Sequence, residues 1–240
     1  MPSFNVSSPP DPDGVLLVDK PAGMTSSDVV CAVRKMFRLK KVGHGGTLDP
    51  EATGLLPLLV GRGTRLCQAV MGGDKVYEGV LRLGAATDTQ DAAGRVVSRG
   101  DPSGVTREKL EALVASDFSG DVFQVPPMVS AIKVDGVPLY KMARKGEEVK
   151  RDPRLVRVWW FRVEDFGIPD TRFTVKCSKG FYVRTLCHDI GAALGCGGHL
   201  AALRRLRSGK FDVAGAVSFQ RLKSVPRSGF ASLLLPLDSL

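Results

Sequence analysis

The sequence predicts an α/β (α+β) fold with a mixed, largely antiparallel central sheet and flanking helices. The 240 residues are 43% hydrophobic and 25% charged, which is ordinary for a folded chain and excludes collagen-like, disordered and low-complexity classes for most of it. Apolar runs typical of strands mostly follow one another or a helix, without the alternation of a doubly wound parallel sheet. No repeat or linker interrupts residues 14–240, so we predict one domain there, after a flexible tail at residues 1–13.

Hydrophobic spacing and turn residues define the elements predicted for the first half of the chain. Val29, Val33 and Phe37 recur at helical spacing, and Ser26 or Ser27 is expected to cap that helix. The elements are, in order, a strand at 15–20, the helix that follows Thr25, a glycine-rich loop at 42–54, a buried strand over LLPLLVG, a helix at 64–71, a strand at 75–84 and a helix at 106–116 capped by Thr106.

The second half is predicted to begin with a hairpin at 130–140, because Asp135 and Gly136 stand between two apolar stretches. The charged segment MARKGEEVKRDPR follows and is expected to be a mobile excursion. Two strands are predicted over LVRVWWFRVEDF and TRFTVKCS, and two helices over YVRTLCHDIGAALG and HLAALRRLR.

Charge and cysteine content limit the partners and the location. The formal charge of +9 favours a polyanionic partner, either nucleic acid or an acidic membrane surface. The membrane alternative has little support, because no amphipathic helix joins a basic face to Trp or Phe anchors. No apolar run reaches the roughly 20 residues of a membrane span, and the first residues do not form a secretory signal. The five cysteines are therefore predicted to be reduced thiols in a cytoplasmic protein.

Two kinds of chemistry are disfavoured by the motifs. Four residues of types that can ligate zinc lie close together in the sequence: Cys187, His188, Cys196 and His199. Their spacing fits no zinc pattern, so we predict no metal site. The sequence also lacks the glycine-rich signatures of phosphate-binding loops and of dinucleotide-binding folds, and the nucleophile elbow of hydrolases. The use of ATP, redox chemistry with a dinucleotide and the common hydrolase mechanisms are therefore disfavoured.

The stretch GHGGTLDPEATG carries the most chemical information. Its glycines allow the backbone to approach a ligand closely. It contains one imidazole, His44, and one carboxylate, Asp49, whose conformation is restricted by Pro50. By composition alone, a turn in which the Asp49 side chain bonds its own backbone is favoured over a catalytic site.

The longer block GHGGTLDPEATGLLP resembles the signature of the TruB-type tRNA pseudouridine synthases. Five further blocks are similar to the same family, occur in the family's order and cover most of residues 15–240. They are VDKPAGMTS at 18–26, KVYEGVLRLG at 75–84, PPMVSAIKVDGVPLYKMAR at 126–144, CSKGFYVRTLCHDIGAALG at 177–195 and HLAALRRLRSGKF at 199–211.

The resemblance implies the pseudouridine synthase fold and the isomerisation of uridine 55 in the T-loop of tRNA to pseudouridine. The family flips the base, cleaves the bond between C1′ and N1 and rejoins the uracil through C5, without a cofactor or a metal. Asp49 matches the aspartate on which this chemistry depends, and Arg184 matches the arginine that pairs with it. Tyr77 matches the tyrosine that packs against the flipped uracil.

The resemblance also implies RNA contacts. His44 matches the histidine that enters the T-loop, and Tyr182 and Leu203 match positions that line the pocket. Arg204 and Arg205 are expected to lie along phosphates on the predicted final helix. An insertion at about residues 126–154, including the charged segment that begins at residue 141, matches the family's thumb, which closes over the T-arm.

Two departures and two alternatives accompany this interpretation. Gly45 stands where many members carry Thr, and the sequence stops where longer relatives continue into a PUA domain, so we expect no complete PUA domain. A pseudouridine synthase for another RNA, or a non-catalytic tRNA-folding or RNA-binding module, would keep the same scaffold. We expect tRNA as the partner, no membrane, no obligate protein partner and a monomer.

Overall fold

The computed structural model describes residues 12–130, 132–134, 136–143 and 145–239. Most of the predicted tail and Asp135 of the predicted hairpin turn therefore lie outside the described residues. The strands are β1 (Gly14–Lys20), β2 (Val42–His44), β3 (Thr53–Val60), β4 (Lys75–Leu83), β5 (Ala85–Thr87), β6 (Val96–Arg99), β7 (Gly120–Gln124), β8 (Lys133–Val134), β9 (Val137–Pro138), β10 (Arg154–Asp165), β11 (Asp170–Cys177), β12 (Gly198–Ser208), β13 (Phe211–Asp212) and β14 (Val217–Ser218).

The helices confirm most of the predicted helical segments. They are α1 (Ser26–Met36), α2 (Cys67–Gly72), α3 (Arg107–Asp117), α4 (Leu139–Ala143), α5 (Val183–Ala193) and α6 (Phe219–Leu222). A short 3-10 helix over Gly61–Leu66 precedes α2. Thr106 caps α3 as predicted, and its side chain accepts a hydrogen bond from the Lys109 amide. None of the described helices is long and apolar enough to cross a membrane.

The chain packs into two compact units, one formed by residues 1–72 and 208–240 and the other by residues 73–207. In the first unit, β3 runs antiparallel to β1 along its whole length, and β14 pairs with β1 in parallel. Side chains from these strands, α2 and β13 form its core, including Val15, Leu55, Leu59, Val70 and Phe211. The predicted single domain over residues 14–240 and the predicted thumb stay predictions.

The start of helix α1 corrects the predicted cap. Thr25, not Ser26 or Ser27, is the N-cap: its hydroxyl accepts a hydrogen bond from the Asp28 amide at 3.0 Å, and the Asp28 carboxylate accepts one from the Thr25 amide at 2.9 Å. This reciprocal arrangement satisfies two backbone donors at the helix start. Ser26 is instead buried, and its hydroxyl bonds the amide of Leu48 at 2.8 Å, which ties α1 to the glycine-rich loop.

The second unit contains a largely antiparallel sheet with strand order β12, β4, β11, β10 and β7. β11 is antiparallel to both β4 and β10, and β10 is antiparallel to β7. Residues alternate along β4 between buried and more exposed positions, as in a sheet with one covered face. The mixed, largely antiparallel architecture that the sequence predicts is therefore confirmed.

The segment HLAALRRLR is a strand, so the helix predicted there is wrong. Leucines three residues apart in a run of Ala and Arg favour a helix locally, but long-range pairing overrides that preference. At the start of β12, the Leu200 amide donates to Gln90 at 3.0 Å and the Leu200 carbonyl accepts from Ala92 at 3.0 Å. These bonds connect β12 to a turn 110 residues earlier, and no residue spacing within the segment could reveal them.

Candidate active site

Asp49 lies in the loop between β2 and β3, in the first unit. The Gly45 amide donates to the carbonyl of Pro57 at 2.8 Å, which ties the start of the loop to β3, and the Ala52 amide donates to the carbonyl of Asp49 at 3.2 Å, which closes a turn within the loop. Leu48 is buried, whereas Asp49 is half-buried. The backbone therefore holds a partly accessible Asp49 at a defined position, between the buried Leu48 and the exposed Pro50 and Glu51.

Lys20 fixes the peptide that follows Asp49. Its side chain is fully buried, and its ammonium donates to the carbonyls of Pro21 at 2.8 Å, Met24 at 2.6 Å and Pro50 at 2.9 Å. These three bonds use all three ammonium hydrogens and join the end of β1 to the loop. Lys20 lies in the block VDKPAGMTS, but no pattern in the sequence predicts a role for it. A single Lys before Pro in a short strand is otherwise unremarkable.

Replacing Lys20 with Met is expected to lower the free energy of unfolding by about 2–4 kcal/mol, because three carbonyls lose a buried, charged donor. Urea denaturation measures this change. Lys35→Met is the matched control, since Lys35 is exposed on α1. A urea midpoint of Lys20→Met equal to that of the control would show that the three bonds add nothing to stability.

His44 ends β2 and is half-buried. Its backbone pairs with Leu58 of β3, and its carbonyl lies 3.6 Å from the thiol sulfur of Cys67 in α2. The pairing with β3 fixes its position on the same loop as Asp49. His44 therefore lies directly before the loop that carries Asp49, and its contact with RNA stays a prediction.

Arg184 occupies the second position of helix α5, in the second unit, and is 4% exposed. Its guanidinium donates to the carbonyl of Val129 at 2.8 Å and to that of Thr89 at 3.1 Å. It also lies 3.7 Å from a carboxylate oxygen of Asp91. The planar group is therefore held by two separate loops and carries its charge in a nearly water-free position.

Asp91 is a carboxylate beside Arg184 that the sequence motifs do not single out. Its carboxylate accepts hydrogen bonds from the Thr89 hydroxyl at 2.6 Å and the Ala93 amide at 3.0 Å, which leaves its other oxygen facing Arg184. The only sequence signal is a polar turn that ends at Gly94. Asp88 lies in the same turn and pairs instead with Arg95, so residue type alone could not separate the two carboxylates.

Tyr77 lies on β4 with 9% of its surface exposed, opposite Val175 of β11. Tyr182 is the N-cap residue of α5 and is half-buried. Tyr77, Tyr182 and Arg184 therefore share the second unit, whereas Asp49 and His44 belong to the first. The predicted pairing of Asp49 with Arg184 and the predicted contacts of both tyrosines with uracil stay predictions.

The three residues predicted to contact RNA at positions 203–205 lie on strand β12 and differ in their exposure to solvent. Leu203 and Arg204 are half-buried, but Arg205 is only 1% exposed. Burial, followed by the positive charge of Arg205, lowers the pKa of Lys75 to about 8. Arg205 is therefore part of a buried cationic pair, which argues against the phosphate contact predicted for it.

The four residues weighed as zinc ligands have other surroundings. The Nδ1 atom of His199 lies 2.8 Å from the carbonyl of Ala85. Cys187 is fully buried, and burial raises the pKa of its thiol, which disfavours the thiolate that zinc requires. Among the described residues, no three His, Cys, Asp or Glu side chains are grouped to hold a metal ion. All five cysteines are free thiols.

Comparison with known proteins identifies the family. The model described as "TruB family pseudouridylate synthase (N terminal domain)" matches residues 34–183, and the one described as "tRNA pseudouridylate synthase B C-terminal domain" matches residues 184–240. The chain belongs to the TruB family of pseudouridylate synthases. Together the two matches cover the loop with Asp49, strand β4 with Tyr77 and helix α5 with Arg184.

Individual members of the TruB family are similar over nearly the whole chain. The tRNA pseudouridine synthase B of Opitutus terrae is 50% identical over 225 residues, which are 94% of this chain and 93% of that protein. The enzyme of the same name from Geobacter sulfurreducens is 50% identical over 230 residues, covering 95% of this chain and 75% of the other.

A solved structure supports the fold. The crystal structure of a Cbf5-Nop10-Gar1 complex matches with a TM-score of 0.71 at 30% identity, covering 93% of this chain. This chain spans 60% of the length of the protein matched in that complex. The fold that the sequence resemblance implies is therefore confirmed by a known structure as well as by the family models.

Proposed function

We propose that this chain is a tRNA pseudouridine synthase that converts uridine 55 of the T-loop to pseudouridine. The observation that carries the proposal is 50% identity to a tRNA pseudouridine synthase B over 94% of the chain. The family match over residues 34–240 supports the reaction class. Specificity for position 55 rests on the sequence blocks that resemble the family.

The reaction is an isomerisation, so it needs no co-reactant. The bond from C1′ to N1 breaks, the uracil turns, and a bond from C1′ to C5 forms. C5 loses its proton and N1 gains one. We assign Asp49 as the catalytic carboxylate, acting on the sugar or the base of the flipped nucleotide. Arg184 is assigned to keep that carboxylate charged, since a nearby guanidinium favours the ionised form.

The target uridine must leave its loop before it can react. Unstacking a base costs a few kcal/mol, and stacking on an aromatic ring recovers roughly 1–3 kcal/mol. Tyr77 is assigned to this role because it is the tyrosine of the matching block. His44, Tyr182 and Leu203 are assigned to the T-loop and the pocket wall. Arg204 is kept as a candidate phosphate contact, and Arg205 is left out because it is buried.

The basic segment at residues 34–41 supports an RNA partner. All five of its basic side chains are exposed, at the end of α1 and in the residues that follow. Exposed cations close together release counterions when they bind phosphates, which makes the affinity dependent on salt. The segment contains no acidic residue that would compensate the charge, and its basic residues are Arg34, Lys35, Arg38, Lys40 and Lys41.

Replacing both Arg34 and Arg38 with Gln is expected to weaken tRNA binding and to reduce the slope of log affinity against log salt by about 1 to 2. Filter binding across a salt series measures both quantities. Lys223→Gln, which alters an exposed lysine outside this segment, is the control and should keep the original slope. An unchanged slope for the double variant would remove this segment from the RNA interface.

Release of tritium from tRNA that carries 5-tritiated uridine tests the proposed activity directly, and mapping of the modified base tests position 55. Binding without tritium release would indicate a non-catalytic tRNA-folding or RNA-binding module. Modification of another RNA is the second candidate, favoured by 26% identity and a TM-score of 0.66 to an H/ACA RNP bound to a substrate RNA. Comparing tRNA and ribosomal RNA in the same assay separates the two substrates.

The proposal includes a cytoplasmic monomer without an obligate protein partner. The uniformly reduced cysteines are consistent with the cytoplasm. Cbf5 is seen with Nop10 and Gar1 in the complex named above, so the absence of a partner needs its own test. Light scattering on the purified, active chain should give the mass of one copy, 25.7 kDa.

A further inference from the structure

Gln124 makes an unusual contact between a strand end and a helix start in the second unit. It is the last residue of β7, and it is 4% exposed. Its side-chain oxygen accepts a hydrogen bond from the Tyr182 amide at 3.0 Å, while its side-chain nitrogen donates to the Tyr182 carbonyl at 3.2 Å. One carboxamide therefore pairs with both backbone groups of a single residue, as a neighbouring strand would.

Tyr182 is the residue at which helix α5 begins, and the start of a helix leaves backbone amides without partners. The tyrosine side chain makes no capping hydrogen bond to the helix. The Tyr182 carbonyl also accepts the first helical bond, from the Leu186 amide at 3.1 Å. Gln124 thus supplies from another element the fixation that a capping side chain gives in most helices.

Arg184 lies two residues after Tyr182 and makes a second connection, in which the helix supplies the side chain and the other segment supplies the backbone. Its guanidinium donates to the carbonyl of Val129, five residues after Gln124. The segment at 124–129 and the helix start at 182–184 therefore hold each other through two side chains, one from each. Both side chains are at least nine-tenths buried, so water cannot readily replace either connection.

We propose that Gln124 is a positioning residue for the reaction: by holding the Tyr182 backbone, it aims the first turn of α5 and so places the Arg184 guanidinium. The inference rests on the proposed function, in which Arg184 supports the catalytic carboxylate. A positional error of about 1 Å in a supporting group can cost a hundredfold in rate. Pro126 and Pro127 follow Gln124 closely, so the same contact also marks where the sheet ends and the predicted thumb begins.

The test compares single-turnover pseudouridine formation, tRNA affinity and thermal stability for Gln124→Met and the wild-type chain. Met has nearly the length of Gln but cannot pair with the backbone. We expect the rate at saturating enzyme to fall about tenfold, and the dissociation constant to stay within threefold. Gln220→Met, at an exposed position, is the control and should match the wild type. Gln124→Asn, whose shorter side chain cannot span both backbone groups, replaces Gln124→Met if the latter does not fold.

A double variant separates positioning from general support of the fold. If Gln124 acts through Arg184, adding Gln124→Met to Arg184→Lys should slow the reaction no more than twofold beyond Arg184→Lys alone. If the rate loss of the double variant equalled the product of the two single losses, the proposal would be overturned. A Gln124→Met rate within twofold of wild type would overturn it as well. An inactive wild-type chain would instead refute the proposed function, so the two failures are distinguishable.

Discussion

Asp49→Asn is expected to lower the rate of pseudouridine formation by at least a thousandfold, with tRNA affinity within about threefold of wild type. The amide has nearly the same shape as the carboxylate, so the loop held by Lys20 and Ser26 should keep its structure. An amide cannot act as a nucleophile or as a base at neutral pH. A missing general base alone costs about a hundred to ten thousandfold, and a missing nucleophile generally costs more.

Glu51→Gln is the matched control for this prediction. Glu51 is two residues from Asp49 in the same loop, and it is exposed. The change removes the same charge and should leave the tritium-release rate within twofold. If Asp49→Asn turned over at the wild-type rate, Asp49 could not be the reacting carboxylate. If both variants lost activity equally, the negative charge of the loop rather than one carboxylate would be the requirement.

The longer strands other than β12, and most helices, could be predicted because their signals are local. Alternation along β4 and the Thr106 cap of α3 are visible within a dozen residues of sequence. The prediction for the segment that forms β12 was wrong because its leucine spacing is helical. The partners of the segment, which include β4 and the turn at residues 90–92, are distant in sequence. The same error placed Arg205 on a helix surface, whereas the strand buries it.

In the candidate site, too, local sequence signals could be interpreted, whereas long-range contacts could not be predicted. Asp49 and Arg184 could be assigned from the sequence because they stand in blocks that resemble the family. Lys20, Asp91 and Gln124 act on groups 30, 93 and 58 residues away, respectively, through contacts that no spacing rule encodes. Thr25 is the cap instead of the predicted Ser26 or Ser27. The Ser26 hydroxyl accepts a hydrogen bond from the Leu48 amide, which is again a long-range contact. Residues that support other residues are therefore the ones that the sequence leaves undetermined.

Arg184→Lys is expected to lower the single-turnover rate by about a hundredfold, although the positive charge is kept. The guanidinium reaches the carbonyls of Val129 and Thr89 with two different nitrogens. An ammonium carries its three donors on one nitrogen at the end of a flexible stem, so it cannot place donors where two separate guanidinium nitrogens lie and also present a planar pair of donors to a carboxylate. A hundredfold loss corresponds to about 2.7 kcal/mol of transition-state stabilisation.

Comparison with a surface arginine shows whether the effect belongs to the site. Arg172 pairs with Glu78 on the exposed side of the sheet, so Arg172→Lys should keep both the rate and the stability close to wild type. Arg184→Lys should lose rate at a tRNA affinity within threefold, because its guanidinium is buried and is assigned to the carboxylate rather than to phosphates. A loss confined to affinity, with the rate at saturation unchanged, would make Arg184 a phosphate-binding residue and separate it from Asp49.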